Sequence, residues 1–405
     1  MGQGEKTTGK REKATGKKAA SGVSALGAWG IVVLVGVGIW AVFFGLPAGI
    51  QMLKTPVISH DFGLEDAVVA LRLDADHQSY LTLVNDAGET RSVRLDERGF
   101  GDSRVVWTQD GLSTAGPNDE YVLGPDGLTS YRFEQAVESS SERDRVATAD
   151  GFAVLTGSAE GESLSFVDVE AGRLTERDAG YTSAMLTSCD GEAVLVDGDR
   201  GARTVTSATD DFSGSQAFTG VGSITCDGER VYGLDEIVDH GDHSTQVLRI
   251  WDRSTGERRE VEIRYPKSIN AWISGTPFVW EGRLYWAAWS TLWSVPVGAE
   301  LGDAVDVTDV ADLGGFIEDA NVVAGTDEGA LAAGGGRVYG VATEEKFISP
   351  SRGSTYDRLD RMVIFSADTA SGDRRVELEL RGIDFPKRDV LVEAIAVNPQ
   401  WAAER

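Results

Sequence analysis

Residues 188–199 read SCDGEAVLVDGD, and residues 225–236 read TCDGERVYGLDE. Each segment places an Asp-Gly turn in front of a short run of alternating apolar residues. The glycine supplies the positive φ that a two-residue hairpin turn requires, and the alternation is typical of a β-strand. The same arrangement recurs as TADGFAVLTGSA at 148–159, VWEGRLYWAAWS at 279–290 and GGGRVYGVATEE at 334–345. The chain therefore repeats one segment of turn and strand.

A second kind of segment, a hairpin around a glycine turn, alternates with the first. Its copies lie at 80–95, 164–178, 247–263 and 362–380. One segment of each kind gives a four-stranded unit of about 40 residues, which is the period expected for the blades of a propeller. Six such units span 103–134, 144–178, 181–219, 220–263, 269–310 and 317–380.

A seventh unit has to be completed from both ends of the repeat region. Residues 66–95 offer three strands, and LVEAIAVN at 391–398 offers one that has no partner nearby. Pairing these two segments removes an open sheet edge. We therefore predict an all-β, seven-bladed β-propeller over residues 66–398, closed by strand 391–398 and followed by a tail at 399–405. Six and eight blades are the alternatives, because two units depart from the repeat.

The repeats resemble the broad β-propeller superfamily of WD40-like and quinoprotein-like repeats. IWDRSTGERREV at 250–261 is the closest local match, since its strand ends in Trp-Asp. The resemblance covers about 330 residues. It implies a fold and leaves the activity open.

Three segments precede the repeats. Residues 1–21 are basic and lack apolar periodicity, which predicts a disordered cytoplasmic tail. Residues 22–50 contain no charged residue and exceed the roughly 20 residues that a transmembrane helix needs. The positive-inside rule places the N-terminus in the cytoplasm and the repeats on the extracytoplasmic side of the cell membrane. Residues 51–65 are predicted to be a linker.

The rival interpretation of residues 22–50 is a cleavable signal peptide. The apolar region of a signal peptide usually has about 7–15 residues and ends in a site resembling Ala-x-Ala. The apolar run here is longer, and LPAGIQ at 46–51 is a poor cleavage site. We therefore predict an uncleaved signal anchor and a single-pass membrane protein.

The charge of the chain is unevenly distributed. After residue 21 there are 32 basic and 63 acidic residues, a net charge of −31. Such a domain repels the phosphates of nucleic acids and anionic lipid head groups, so nucleic acid is not an expected partner. The simplest role of this charge is to keep an exposed domain soluble.

The chain contains two cysteines, Cys189 and Cys226, which occupy equivalent places in adjacent repeats. Two cysteines in an oxidising compartment are expected to pair, provided that their Cα atoms approach within about 7 Å. Equivalent positions on neighbouring blades come that close only near the hub. The sequence therefore predicts a disulfide, and two small buried side chains are the alternative.

Most catalytic signatures are absent from the sequence, including the Gly-x-Ser-x-Gly elbow, His-Glu-x-x-His and the P-loop. The four histidines leave few groups for acid–base catalysis near neutral pH. VDHGDHS at 238–244 is the densest polar segment and combines Asp239, His240, Asp242 and His243. Mixed imidazole and carboxylate ligands suit a transition metal. These four residues are the candidate metal ligands, with a solvated hairpin loop as the alternative, and we predict no other cofactor.

Aromatic residues are concentrated at 272–293, which holds five of the ten tryptophans. Packing between blades is the simpler interpretation, because aromatic side chains bury large areas and suit strands. The functional alternative is an exposed aromatic surface that binds sugar or protein. Strand alternation would place Tyr285 and Trp289 on the face opposite to Trp286.

The segment TEEKFISPSRGSTYDRLDR at 343–361 is much longer than its equivalents in the other units. Long loops on a rigid scaffold often bind ligands, and an inert insertion is the alternative. Its candidate binding residues are basic or aromatic in an otherwise acidic domain: Lys346, Phe347, Arg352, Tyr356 and Arg358.

Together these features predict a non-catalytic binding or scaffold module that is held at the membrane by residues 22–50. Its expected partner is another envelope or membrane protein. One alternative is an enzyme of the hydrolase, lyase or quinone-dependent type with its site at the mouth of the central channel. Another is a ligand sensor that signals through a partner.

Overall fold

The structure is a computed structural model of the chain. It describes residues 55–75, 78–95, 104–108, 111–116, 119–125, 127–133, 141–158, 161–181, 184–197, 201–205, 221–269, 273–288, 290–298, 301–316, 331–348, 356–383 and 390–405. Contacts divide the chain into Met1–Ile50 and Gln51–Arg405. The predicted tail at 1–21 and the predicted transmembrane helix at 22–50 lie outside the described residues. The residues that are described include no helix of the length and apolarity that a membrane crossing requires.

The strands of the described residues form seven sheets, numbered here in chain order. Sheet 1 contains β1 (Ala67–Ala75), β2 (Gln78–Asn85), β3 (Thr90–Arg94) and the last strand, β29 (Leu391–Val397). Sheet 2 contains β4 (Val105–Trp107), β5 (Leu112–Ala115), β6 (Asp119–Gly124) and β7 (Gly127–Arg132). Sheet 3 contains β8 (Ser141–Thr148), β9 (Gly151–Ser158), β10 (Gly161–Asp168) and β11 (Arg173–Tyr181). Sheet 4 contains β12 (Ala184–Cys189), β13 (Glu192–Asp197) and β14 (Gly201–Val205).

The remaining sheets follow the same plan. Sheet 5 contains β15 (Ser223–Cys226), β16 (Arg230–Leu234), β17 (Val238–Asp239), β18 (Ser244–Asp252) and β19 (Arg258–Tyr265). Sheet 6 contains β20 (Ile273–Trp280), β21 (Arg283–Ala288), β22 (Thr291–Pro296) and β24 (Thr308–Asp312), while β23 (Ala304–Asp306) pairs in parallel with β19 of sheet 5. Sheet 7 contains β25 (Leu331–Gly334), β26 (Arg337–Ile348), β27 (Tyr356–Asp368) and β28 (Arg374–Glu379). A short helix, α1 (Pro399–Ala403), follows β29.

The glycine turns of the hairpin segments are stabilised by a side chain that bonds back to the turn. Asp252 accepts hydrogen bonds from the backbone N–H groups of Thr255 and Ser254. The backbone bond from Thr255, followed by the hydroxyl bonds from Ser254 and Thr255, lowers the pKa of Asp252 to about 2. Asp368 forms the same turn ahead of Gly372. The Asx turn and the αL glycine together explain why the repeat carries an acidic residue followed by glycine at this place.

The sheets form a closed ring. The first strand of each sheet contacts the first strand of the next, in the order β4, β8, β12, β15, β20, β25, β29 and again β4. In sheet 1 this inner strand is β29, which pairs antiparallel with β1 through residues such as Ile395 and Leu71. The pairing joins the two segments that the sequence left without partners. A ring of radially stacked antiparallel sheets is the architecture of a β-propeller.

Apolar side chains fill the space between neighbouring sheets. Between sheets 7 and 1, Tyr339 and Ile364 pack with Leu73 and Ile395, and Trp401 of α1 covers them. Trp401 lies against the ring of Tyr339, with 5.7 Å between the ring centroids. Burial of each such side chain stabilises the fold by about 1.5–3 kcal/mol. The junction where the ring closes therefore has a core like the other junctions.

Two sequence expectations change at the edges of the ring. The described part of the linker, 55–65, is bound to the sheets, since the backbone N–H of Ile58 donates to Arg94 and that of Leu64 donates to Gly124. The prediction of a long loop at 343–361 was wrong for most of that segment, because 343–348 and 356–361 belong to strands β26 and β27. β26 and β27 continue as a paired hairpin out to Ile348 and Tyr356.

Candidate functional site

The two ends of the ring differ, and each has a name here. The inner strands β4, β8, β12, β15 and β20 all begin around one cavity, and this side is called the cavity end. The turns that join the first and second strands of the sheets lie on the opposite side, which is called the latched end. Because neighbouring strands are antiparallel, the connections between second and third strands return to the cavity end.

The cavity has a volume of about 320 Å³ and a divided lining. Its charged side chains come from sheets 2 and 3: Arg104, Arg143, Asp144 and Glu162. Its apolar side chains come from sheets 4 to 6 and the segment before β15: Ala184, Met185, Val221, Ile224, Ile273 and Pro277. A cavity of about 300 Å³ with a few polar groups is at the small end of the range for ligand pockets.

The two carboxylates of the cavity hold the edge of the inner strand β12. Asp144 Oδ2 accepts a hydrogen bond from the backbone N–H of Leu186 at 3.0 Å. Glu162 Oε2 accepts one from the N–H of Ala184 at 2.7 Å. Burial raises the pKa of Asp144, and the nearby Arg104 guanidinium opposes this rise. These acids therefore have a structural task besides lining the cavity.

The donors of the cavity differ in how they are engaged. Arg104 Nη1 lies 3.9 Å from Asp144 and 3.5 Å from Oγ1 of Thr276 in sheet 6. The buried hydroxyl of Ser223 has no hydrogen-bond partner among the described residues. The exposed guanidinium of Arg143 likewise forms no hydrogen bond or ion pair with another part of the chain that the structure describes. The guanidinium of Arg143 thus offers the cavity donors that a bound acceptor can use.

A buried ion cluster lies next to the cavity, between sheets 2 and 3. Arg145 donates from Nε to Glu142 at 2.9 Å and from Nη2 to Glu120 at 2.9 Å, and all three side chains are buried. Ser113 donates to Glu120 at 2.6 Å. Burial alone would lower the pKa of Arg145, but the charges of Glu120 and Glu142 raise it. Arg145 is therefore charged at every physiological pH.

A β-bulge separates this cluster from the cavity. The pairing of β8 with β9 shifts register between Glu142 and Asp144, so Arg143 is the extra residue. Glu142 and Arg145 are buried in the ion cluster, while Arg143 and Asp144 line the cavity. Bulges are frequent beside functional sites because they redirect side chains. Four consecutive charged residues in an inner strand were the available sequence signal, and the sequence reasoning missed it.

The latched end is held by contacts between successive turns. The predicted disulfide is confirmed: Cys189 and Cys226 join the inner strands of sheets 4 and 5, with Cα atoms 5.4 Å apart. The N–H of Ala149 in sheet 3 donates to Gly191 in sheet 4 at 2.7 Å. At Gly336, with φ of +74°, a Cβ would lie 3.0 Å from the indole nitrogen of Trp280, so sheets 6 and 7 touch there.

The predicted metal ligands do not converge on one point. They lie in the exposed connection that precedes β18, at the cavity end. His240 and His243 stack with ring centroids 4.9 Å apart, His243 bonds Asp242, and Asp239 accepts from Ser268. Across the described residues, no group of three His, Cys, Asp or Glu side chains is arranged to hold a metal ion. The structure therefore does not assemble the four residues into a metal site, and a metal ion in this connection stays a prediction from the sequence.

For Tyr285 and Trp286 the structure agrees with packing between blades and not with the alternative of an exposed aromatic surface. Tyr285 is 3% exposed and Trp286 is 1% exposed, because both belong to the central strand pair of sheet 6. Their alternation points them into the cores on opposite sides of that sheet. Trp286 donates to the hydroxyl of Tyr265 at 3.1 Å. These two residues stabilise the packing between sheets, and Trp289 lies outside the described residues.

The hairpin of sheet 7 reaches the cavity end. Beyond Met362 the outer strand β28 stops, and β26 and β27 continue as a two-stranded extension. The backbone of this extension pairs Lys346 with Arg358. It also places Phe347 and Tyr356 in the same ladder, while Arg352 lies outside the described residues. Leu359 is buried in the core between sheets 7 and 1 and anchors the base of the extension.

Comparisons with known proteins found similar solved structures at low sequence identity. No protein-family model and no curated protein match the chain. The propeller domain of the Trilobed protease from Pyrococcus furiosus is 11% identical over 80% of this chain and 96% of its own, with a TM-score of 0.41. Kluyveromyces lactis Hsv2 is 10% identical over 80% of this chain and 98% of its own, with a TM-score of 0.40.

The tricorn protease is 10% identical over 74% of this chain, with a TM-score of 0.38. The chain spans 34% of the length of that protein. The matched part of the Trilobed protease is itself described as a β-propeller domain. Likeness at this level carries no argument about the fold or the activity of this chain.

Proposed function

We propose that the protein is a membrane-anchored, extracytoplasmic propeller of seven blades that binds a partner or ligand at its cavity end without catalysing a reaction. One observation supports this most strongly. The cavity, the connection at 235–243 and the hairpin extension of sheet 7 all lie at the same end of the ring. Irregular segments grouped around a concave site on a rigid scaffold are typical of binding.

The other parts of the proposal rest on the sequence and on the disulfide. The uncharged segment 22–50 is long enough to anchor the domain. The Cys189–Cys226 bond fits an oxidising compartment, which an extracytoplasmic domain would occupy. Another envelope or membrane protein is the expected partner, because a single-pass anchor keeps the domain at the membrane.

The test is chemical crosslinking of the full chain in its native membranes, followed by mass spectrometry. In the variant, Asn-Gly replaces residues 346–358, which keeps the buried Leu359 and supplies a two-residue hairpin turn. The control exchanges two acidic residues of the latched end, Glu229→Gln and Glu281→Gln. We expect the intact chain and the control to yield the same crosslinked partner and the shortened chain to lose it. Equal yields from all three chains would contradict the proposal.

One observation favours an enzyme as the second candidate. Asp144 lines the cavity and has a pKa that burial raises, which suits a proton-transfer group. The full chain would then turn over a glycan, lactone or quinone-linked substrate. Asp144→Asn would abolish that turnover while the chain stays folded. Turnover that survives this substitution would remove the cavity acid from consideration.

A further inference from the structure

The cavity end raises the question of which chemical class of ligand its groups would recognise. The answer depends on which of the charged groups are already engaged. Asp144 and Glu162 each accept a backbone N–H of β12. Arg143 has no such partner within the described part of the chain, and neither has the hydroxyl of Ser223. The unfilled hydrogen-bonding capacity of the cavity therefore consists mainly of donors.

The position of Arg143 is set by its surroundings. The bulge at Arg143 turns its side chain out of the buried ion cluster and into the cavity. Its stem then lies across Gly157 of the neighbouring strand β9. A Cβ at Gly157 would lie 2.7 Å from Nε and 3.2 Å from Cγ of Arg143. An alanine at position 157 would therefore force the Arg143 side chain to shift from this position.

The charge of the cavity limits the ligand further. Arg143 offers the planar pair of donors that matches a carboxylate. The lining holds Arg104 and Arg143 against Asp144 and Glu162, so it has no net positive charge that would hold a dianion such as phosphate. The opposite side of the cavity is apolar through Val221, Ile224 and Ile273. A ligand that satisfies both sides has one negative charge and an apolar body.

We propose that the cavity binds a small monocarboxylate with an apolar body, an inference that rests on the proposed function. The carboxylate accepts hydrogen bonds from the guanidinium of Arg143, and the apolar body lies against sheets 5 and 6. Arg143 is the residue that recognises the ligand. Gly157 is a positioning residue, because it has no side chain that would displace Arg143.

The test measures binding of small ligands to the purified full chain in detergent by isothermal titration calorimetry. The probes are hexanoate, benzoate, the uncharged hexanamide and inorganic phosphate. We expect hexanoate or benzoate to bind at least about tenfold more tightly than hexanamide, since the amide loses the charge-assisted pair with Arg143. Phosphate is expected not to bind. Failure of both carboxylates to bind, or equal affinity for hexanoate and hexanamide, overturns the proposal.

Four substitutions make the test specific. Arg143→Gln should weaken carboxylate binding at least about tenfold, and Arg143→Lys should retain part of it. Gly157→Ala should weaken binding about three- to tenfold and abolish the advantage of arginine over lysine at position 143. Arg132→Gln is the matched control, because Arg132 is 73% exposed and outside the cavity, and it should change nothing. Unaltered binding by Arg143→Gln contradicts the proposal.

Circular dichroism and thermal melting of each variant distinguish loss of binding from loss of folding. The backbone of Gly157 has no positive φ, so alanine fits its conformation. The outcome is also separable from that of the proposed function. If the crosslinked partner is found but no carboxylate binds, the ligand class is wrong and the binding module stands. If carboxylates bind but the partner is absent, the cavity is a small-molecule site alone.

Discussion

The latched end and the cavity end are made from the same repeat, yet different forces hold them. At the latched end, a disulfide and backbone hydrogen bonds join successive turns, as Cys189–Cys226 and Ala149–Gly191 show. At the cavity end, buried ion pairs such as that of Arg145 and hydrogen bonds from backbone N–H groups to carboxylates such as Asp144 join the sheets. The disulfide and the backbone hydrogen bonds do not depend on the protonation of side chains, whereas the contacts made by carboxylates do. The comparison suggests that one end maintains the ring and the other is available for binding.

The largest expected effect is at the cavity end. Arg145→Met leaves Glu120 and Glu142 buried without their cation, and the loss of one partner from a buried ion pair costs about 3–5 kcal/mol. We expect the free energy of unfolding, measured by urea denaturation, to fall by that amount. The further substitutions Glu120→Gln and Glu142→Gln in the same chain should restore part of the stability. A fall of less than about 1 kcal/mol for Arg145→Met would show that the cluster does not hold the sheets.

The second effect is at the latched end. Cys189→Ser with Cys226→Ser opens a loop with a sequence separation of 37 residues. Loss of a disulfide of this span lowers the free energy of unfolding by about 3–4 kcal/mol in the chain-entropy model. Denaturation should show this loss, while crosslinking to the partner continues at temperatures where the variant is folded. Loss of the partner from a folded double mutant would contradict the division of tasks between the two ends.

A smaller effect is expected at the closing junction. The indole nitrogen of Trp401 donates to Asp86 at 2.8 Å, and this bond ties α1 to sheet 1. Trp401→Phe keeps the ring against Tyr339 but removes the bond, which should cost about 1–2 kcal/mol. Thermal melting of the variant measures this cost. The matched variant Trp280→Phe, at an exposed turn of the latched end, should cost less.

The smallest effect is a change in the dependence of stability on pH. Burial raises the pKa of Asp144 above 3.8, so the native state binds a proton more readily than the unfolded chain does. Its contribution to stability is greatest at low pH and declines as the pH rises through the raised value. Asp144→Asn should remove this decline. The free energy of unfolding of the mutant, relative to that of the wild type, should therefore rise with pH above 3.8. Denaturation curves across this range provide the measurement, and a parallel pH profile for the two chains would exclude the effect.

The elements of the fold could be predicted from sequence because each carries its own local signal. The Asp-Gly turns at 190–191 and 227–228 and the unpaired strand at 391–398 were enough to indicate the sheets and the strand that closes the ring. The disulfide followed from the equivalence of its two cysteines. All of these inferences use neighbours in the chain or positions related by the repeat.

The candidate site could not be predicted, because it joins residues from several sheets. Arg104 and Thr276 approach each other only once the ring is closed. The bulge at Arg143 is a shift in register that one strand cannot reveal. The burial of the aromatic residues could not be predicted either, because Trp286 is as compatible with a core as with a surface until its neighbours are known. Composition therefore indicated unusual segments but not which of them face solvent.

The central claim, that the cavity end is the binding end, has a direct test within one sheet. A photo-crosslinking amino acid is placed at Asp242, which is 87% exposed at the cavity end of sheet 5, and separately at the exposed Glu229 at its latched end. Both full chains are irradiated in native membranes, and the adducts are identified by mass spectrometry. We predict an adduct with a partner protein from position 242 and none from position 229. An adduct from position 229 alone, or equal adducts from both, would contradict the account.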